Sequence, residues 1–302
     1  MNNQPLISVI VPTYKRTPQL IQRAIDSVLK QSYSNLELII IDDSPSDYLH
    51  RKSVKEYINS IKDARVKYIQ HIENLGANKA RNTGIGASSG EYCAFLDDDD
   101  EWVLNKLELQ MKKFVNEDVG LVYCRAIIID EVNNIRRPII NEIKQGEHYS
   151  ELLKQNFIGS NSFVLIRKEV LVNIGCYDEE LESNQDYDLF LRISKEYKIA
   201  GCNEVLVKYY LHDGERITTN MQKQLQGRLA LHNKHAIDIK KDKVTKLTWE
   251  LKIIPLYYKT SSKKIALIKL LKLFITHPIF CLRYSFKTLS YIKKKRINVA
   301  RY

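Results

Sequence analysis

The sequence has no C-x-x-C pair, and its five cysteines (Cys93, Cys124, Cys176, Cys202 and Cys281) are odd in number and irregularly spaced. That excludes a disulfide framework and a cysteine-based zinc site. Apolar neighbours, as in Tyr92-Cys93-Ala94-Phe95, mark them as small buried hydrophobes. Glycine is missing where phosphate-binding loops need it. No G-x-x-x-x-G-K-[ST] occurs, and the turn after the first apolar run reads Pro12-Thr13-Tyr14-Lys15-Arg16. Gly84-Ile85-Gly86-Ala87-Ser88-Ser89-Gly90 resembles a dinucleotide fingerprint, but it follows a helical stretch and precedes a strand, the reverse of the required context. No uninterrupted run of about 18 apolar residues is present to span a membrane. Met1 to Pro5 lacks the charged start and apolar stretch of a secretory leader, so the expectation is a cytoplasmic chain. Fixed-period repeats and low-complexity blocks are also missing.

What is present begins with charge. The chain of 302 residues carries a formal +11, and residues 240–302 hold 17 Lys and Arg against two acids, so the rest of the chain is slightly acidic. A basic appendage on a neutral body points to an anionic surface as its partner. Over the first hundred residues two periodicities alternate. Leu6–Val11, Leu36–Ile41, Val66–Ile69 and Glu91–Leu96 are short apolar runs of the kind buried strands show. Gln19–Gln31, a stretch near Tyr48–Ile61, and Gly76–Ala87 have helical spacing. Such alternation predicts an α/β fold with a mostly parallel sheet and flanking helices. Farther on, Gly120–Asp130, Ser162–Arg167 and Val205–Leu211 read as strands, Asp186–Tyr197 as a helix, and the chain from Met221 onward as helical.

Ligands of open α/β sheets bind beyond the carboxyl ends of the strands. Three predicted strand ends carry polar clusters: Pro12-Thr13-Tyr14, Asp42-Asp43, and Asp97 to Asp100. Carboxylates about 4 Å apart repel by roughly 1 kcal/mol in water and about 4 kcal/mol at an effective dielectric near 20. A divalent cation removes that repulsion, and hard cations such as Mg2+ and Mn2+ take carboxylate oxygens together with substrate phosphates. The alternative is a solvated acidic turn, which the placement at the ligand edge disfavours.

Four segments, Ile7-Ser8-Val9-Ile10-Val11-Pro12-Thr13-Tyr14, Leu38-Ile39-Ile40-Ile41-Asp42-Asp43-Ser44, Asn74-Leu75-Gly76 with Ala80-Arg81-Asn82-Thr83-Gly84, and Phe95-Leu96-Asp97-Asp98-Asp99-Asp100-Glu101-Trp102, resemble the family 2 glycosyltransferases in order and spacing. The resemblance spans about residues 5–215 and includes Gln185-Asp186-Tyr187-Asp188 and Tyr209-Tyr210-Leu211-His212. It implies a GT-A (Rossmann-like) fold and inverting transfer from a nucleotide diphosphate sugar, UDP-linked as a rule, with Mn2+ or Mg2+ as cofactor. Pro12, Thr13, Tyr14, Arg16 and Asn74 would line the donor pocket, and Asp43 with Asp42 would accept from the base. Arg81 would approach the nucleotide or its phosphates. Asp97-Asp98-Asp99 would be the D-x-D element, with Asp98 and Asp97 on the donor and Asp99, Asp97 and His212 on the metal. Asp186 would be the catalytic base, and Gln185 stands where the family has Glu. From its helix start alone, Asp186 reads more readily as a capping residue than as a base, and the resemblance reverses that order. His212 also reads as structural, Lys79 and Arg81 as solvated helix charges, and Trp102 as packing.

The expected division is a GT-A domain over 1–219 and a basic, amphipathic helical extension over 220–302. In the extension Ala266, Leu267, Leu270, Leu271, Leu273 and Phe274 line one side of a helix ended by His277-Pro278. A second helix is expected over Ile279–Tyr291, before Lys293-Lys294-Lys295-Arg296. Residues 262–302 suit an anionic membrane surface, which places the chain peripherally on the inner face of the plasma membrane. The same helices suit packing on the transferase domain or a homodimer. Apolar residues beside the charges argue against nucleic acid. The expected partners are the nucleotide-sugar donor and a glycan or lipid-linked acceptor, as in polysaccharide or glycolipid assembly. The rivals are a catalytically inactive nucleotide-sugar-binding or accessory subunit, and a nucleotidyltransferase, which would want a glycine-rich loop after the first strand.

Overall fold

A computed structural model describes residues 4–130, 133–139, 143–211, 220–260 and 263–284. The chain divides into two compact units, one from Met1–Glu180 with Gln185–His212 and the other from Leu181–Asn184 with Asp213–Tyr302.

In the first unit the elements run β1 (Ile7–Thr13), α1 (Pro18–Leu29), β2 (Leu36–Asp42), α2 (Arg51–Ser60), β3 (Val66–Gln70), α3 (Ala77–Ala87) and β4 (Tyr92–Phe95). Then come β5 (Glu101–Trp102), α4 (Lys106–Met111), β6 (Val119–Asp130), β7 (Ile135–Ile139), α5 (Tyr149–Lys154), β8 (Val164–Arg167), α6 (Lys168–Asn173), α7 (Gln185–Glu196) and β9 (Lys198–Leu211). The strands form one sheet in the order β3-β2-β1-β4-β8-β6-β9-β5, with β7 on β6. The β3-β2-β1-β4 half is wholly parallel. Beyond it the long β6–β9 ladder is parallel, and β8, β7 and β5 pair antiparallel.

Strand β2 shows why these runs are continuous rather than alternating. Leu36, Leu38 and Ile40 join the main core with Ile21, Ala24, Ile25 and Val28 of α1 and Val54 and Ile58 of α2. Ile39 and Ile41 face the other way and pack with Ala80 of α3. Both faces are covered, so Leu38 to Ile41 run without an interruption; the one buried acid before them, Glu37, is bonded by Ser8 and paired with Lys67. Each fully buried Ile or Leu contributes about 1.5–3 kcal/mol. Helix α3 lies unusually close to the sheet: a Cβ on Gly84 would run into the Ile10 side chain.

Register places the polar strand ends together. Thr13 pairs with Asp42, Asp42 with Gln70, and Ile10 with Phe95, two residues before Asp97. The three clusters therefore share one edge, as the βα alternation predicts.

The second unit contains α8 (Met221–Lys234), α9 (Ala236–Lys241), α10 (Lys243–Lys259), α11 (Lys263–Thr276) and α12 (Pro278–Tyr284). Leu247 and Ile254 of α10 pack with Ala266 and Leu273 of α11 and Cys281 of α12. Only part of the apolar side predicted for α11 is used there: Leu267, Leu270, Leu271 and Phe274 are exposed. Among the described residues no single helix is long and apolar enough to cross a membrane, and α11 with α12 passes that test only as a pair bent by 112°.

Candidate active site

The β1–α1 turn is fixed by backbone geometry. Lys15 adopts a left-handed φ of 50° and donates its N–H to Ser44 Oγ at 2.9 Å. That conformation aims Arg16 across the edge toward the acidic loop. Thr13 is buried beside Asp98, Pro12 is half-buried, and the Tyr14 ring is 40% exposed.

The four aspartates after β4 go four ways. Asp97 accepts from Arg81 Nη2 at 2.7 Å and from Ser160 Oγ at 3.4 Å. Asp98 accepts Arg16 Nε on both oxygens, at 3.1 and 3.2 Å. Asp99 receives Arg16 Nη2 on its carboxylate at 3.4 Å, while Arg23 Nη2 holds its backbone carbonyl at 2.7 Å. Asp100 is fully buried, accepting from Ser162 Oγ at 2.6 Å and the Tyr210 N–H at 3.3 Å. Burial alternates accordingly: Asp98 and Asp100 are buried, and Asp97 and Asp99 are half-buried. Burial, reinforced by Asp99, pushes the Asp98 carboxyl up to about 6 despite Arg16. Burial with the charges of Asp99 and Asp97 raises Asp100 well above the carboxylate range.

Ser162 organises this loop. Besides donating to Asp100 it accepts the Asp97 N–H at 3.1 Å, and its carbonyl accepts Trp102 Nε1 at 2.9 Å. Trp102 is buried, with Lys106 Nζ 3.9 Å from its ring centroid, so it packs rather than offering a face to a sugar. Arg23 also stacks on Tyr210, 3.4 Å from the ring centroid.

Asp42 and Asp43 spend their oxygens on the protein. Asp42 accepts from the Ser44 N–H, Tyr68 Oη and Gln70 Nε2. Asp43 bonds His71 Nδ1 at 2.7 Å and accepts the N–H groups of Leu75 and Gly76 at 2.8 Å each. Asn74 Oδ1 accepts the Gly76 N–H at 3.0 Å. These bonds order the turn that starts α3. A carboxylate offers about four acceptor positions, and three of Asp43's are taken by these protein groups.

Helix α3 connects the acidic loop to α7. Asn82 exchanges hydrogen bonds with the backbone of Tyr177, at 2.9 and 3.0 Å, and donates to Glu179 at 2.8 Å. Asn78 donates to the Asp178 carbonyl at 2.7 Å, and Lys79 pairs with Glu179 at 3.2 Å. Arg81 is not a solvated helix charge but buried, with its guanidinium 5.6 Å from the Tyr177 ring centroid. Burial works against its charge, yet Asp97 first, then Tyr177 and Asp186, hold its pKa above the ordinary value. Tyr177 is pushed up by burial and again by Asp186 and Asp97. Asp97 and Asp186 therefore act on the same two side chains. Asp186 is half-buried in the first turn of α7, its Oδ1 accepting the Tyr187 N–H at 2.7 Å. His212 lies outside the described residues. Among the described residues no three His, Cys, Asp or Glu side chains converge as a ready metal set.

Arg23, Asn78, Asn82, Ser160, Ser162 and Tyr177 were not legible as site residues. Each acts on a partner far along the chain, and none belongs to a charged cluster in sequence.

Residues 8–175 match the profile described as Glycosyl transferase family 2. WcaA of Escherichia coli strain K12, named for a glycosyl transferase of colanic acid biosynthesis, is 34% identical over 267 residues, 85% of this chain and 89% of the relative. The chain belongs to glycosyltransferase family 2. This glycosyltransferase is also 33% identical over 223 residues to WfgD of Escherichia coli, named UDP-Glc:alpha-D-GlcNAc-diphosphoundecaprenol beta-1,3-glucosyltransferase, covering 73% of the chain and 83% of WfgD. Its fold matches the mannosyltransferase PcManGT of Pyrobaculum calidifontis, solved with GDP-Man and Mn2+, at a TM-score of 0.61 and 18% identity, over 99% of this chain and 84% of that one. The α/β sheet with flanking helices is thus the GT-A fold.

Proposed function

We propose that this glycosyltransferase moves a sugar, with inversion, from a nucleotide diphosphate sugar, UDP-linked, to a glycan or lipid-linked acceptor in cell-surface polysaccharide or glycolipid assembly. One observation carries the reading. Carboxylates from two distant segments, Asp97 after β4 and Asp186 in α7, both act on the buried Arg81. Asp97 bonds that guanidinium at 2.7 Å, and Asp186 adds to the field around it. The names of WcaA and WfgD support the pathway class, and WfgD's supports a uridine donor and a lipid diphosphate acceptor.

Asp186 takes the proton of the acceptor hydroxyl at a carboxylate oxygen as the new bond forms, a role worth about 10²–10⁴-fold. The Tyr187 N–H fixes the orientation of that carboxylate. Asn78, Asn82 and Lys79 hold the segment leading toward α7. Pro12, Thr13 and Tyr14 with Asn74 border the nucleotide, and Asp43 offers its remaining acceptor position to the base. The donor set fits a hard divalent cation: Asp97 and Asp99 are half-exposed carboxylates, and Asp98 and Asp99 already share one positive group, Arg16. Sites for Mg2+ or Mn2+ commonly take one or two carboxylates plus substrate phosphates. Asp99 and Asp97, with His212, would hold that ion, which supplies Lewis-acid stabilisation of the departing diphosphate.

Asp186→Asn tests the assignment. It should leave binding of the productive nucleotide sugar, found by screening a panel, within about twofold, while transfer falls by roughly 10²–10⁴-fold. Full turnover in the variant removes Asp186 from the base role.

A further inference from the structure

The cation side of the acidic loop already carries a charge supplied by the chain itself. Arg16 bonds both oxygens of Asp98 and reaches Asp99 Oδ2, and Asp97 adds to the field that holds its charge. A single guanidinium thus answers three consecutive carboxylates. Its hold is uneven: the Asp98 contacts at 3.1 and 3.2 Å are closer than the 3.4 Å contact to Asp99. The loop's backbone does not depend on that contact. Arg23 grips the Asp99 carbonyl at 2.7 Å, and Ser162 braces Asp97 and Asp100. The Arg16 side chain is only 20% exposed and lies on Asp99 Oδ2, so a cation that takes that oxygen meets it.

We infer that Arg16 is an internal counter-ion of the donor site, held against Asp98 and Asp99 until a divalent cation and a nucleotide diphosphate arrive together. A cation binding alone must take Asp99 from Arg16 and leaves the guanidinium without a full complement of acceptors. When a diphosphate enters with the cation, Arg16 gains phosphate oxygens, for which its planar fork is well matched. Metal and nucleotide then strengthen each other's binding through one side chain, and the coupling is reciprocal. The inference rests on the donor-site reading above and adds the order in which the site fills.

Mn2+ binding, followed by loss of the free aquo-ion's paramagnetic resonance signal, tests it directly in the full chain. Wild type should bind Mn2+ alone weakly and bind it more tightly when UDP, or GDP, is present. Arg16→Gln should bind Mn2+ alone about two- to fivefold more tightly than wild type, the scale of one partly exposed ion pair lost as a competitor. In the same variant the gain on adding the nucleotide should shrink. Arg16→Lys keeps the charge without the fork, so it should stay near wild type for Mn2+ alone and lose part of the nucleotide gain. Melting curves identify a variant that fails to fold, and the lysine variant then carries the comparison. Arg16→Gln with unchanged or weaker affinity for Mn2+ alone, or with the nucleotide gain intact, overturns the counter-ion role while leaving the donor site standing. Wild type that binds no Mn2+ with either nucleotide overturns the donor-site reading, and the inference with it.

Discussion

At the scale of single residues, the acidic run shows what a linear pattern conveys and what it omits. Four aspartates at the end of a buried strand make a cation site the natural expectation, because of their mutual repulsion. Their division of labour comes from partners the pattern does not contain: Arg16 is 82 residues from Asp98, and Ser162 is 62 from Asp100. Arg81 and Asp186 are likewise joined only through the fold. The same holds for Lys106, an ordinary helix lysine by sequence. It is fully buried, donates to Gln110 Oε1 at 2.7 Å, and burial brings its ammonium down from 10.5 to about 8. Between those values the unfolded chain binds the proton and the folded chain does not, so stability rises with pH across that window. Below about pH 8 the full cost of the buried charge is present. Lys106→Met removes this titration. The stability of wild type relative to the variant should therefore rise from about pH 7 to about pH 10, approaching a total on the order of 3 kcal/mol. Urea titrations of both proteins at several pH values check it, and a pH-independent difference would show that Lys106 titrates normally.

At the scale of elements, β1, β2 and β4 were readable because both of their faces are covered, which leaves continuous apolar runs. Helices α1 and α3 were readable by period. β5, two residues long, and the first half of β9 were not. β9 runs from Lys198, yet only its stretch from Val205 had strand character, and its ladder with β6 is irregular between Gly201 and Val205. Short or irregular strands take their conformation from neighbours already in place, and propensity cannot show that. Gly84 is the reverse case, a local residue with a tertiary reason. It brings α3 against Ile10 so that Asn78, Arg81 and Asn82 reach their partners. Gly84→Ala should cost about 1–3 kcal/mol through overpacking, despite alanine's better helix propensity. In an Ile10→Ala background the same change should cost less, because the obstructing side chain is gone. A double-mutant cycle by chemical denaturation measures the coupling, and strictly additive effects would mean the contact is not what requires glycine.

At the scale of the whole molecule, the uneven distribution of charge and the exposed face of α11 belong together. Ala266 and Leu273 are buried, whereas Leu267, Ile268, Leu270, Leu271, Phe274 and Ile275 are exposed, alongside Lys263, Lys264, Lys269 and Lys272. Internal packing leaves this apolar surface unexplained. Contiguous exposed apolar area on a basic element is how a protein meets an anionic lipid surface, with about 1 kcal/mol from each nearby Lys or Arg. A lipid-linked acceptor would give such contact a purpose, since the acceptor's diffusion is confined to that surface. Leu271 and Phe274 are 52% and 48% exposed, so changing both to glutamate spares the α10–α11 contact. The double variant should bind phosphatidylglycerol vesicles about a hundredfold more weakly, from two apolar side chains worth about 1.5 kcal/mol each. Its affinity for nucleotide sugar in solution should be unchanged. Co-sedimentation with vesicles measures the first and calorimetry the second. Undiminished sedimentation would assign this face to a protein contact, and a shift from dimer to monomer in the variant would identify that contact as a second copy of the chain.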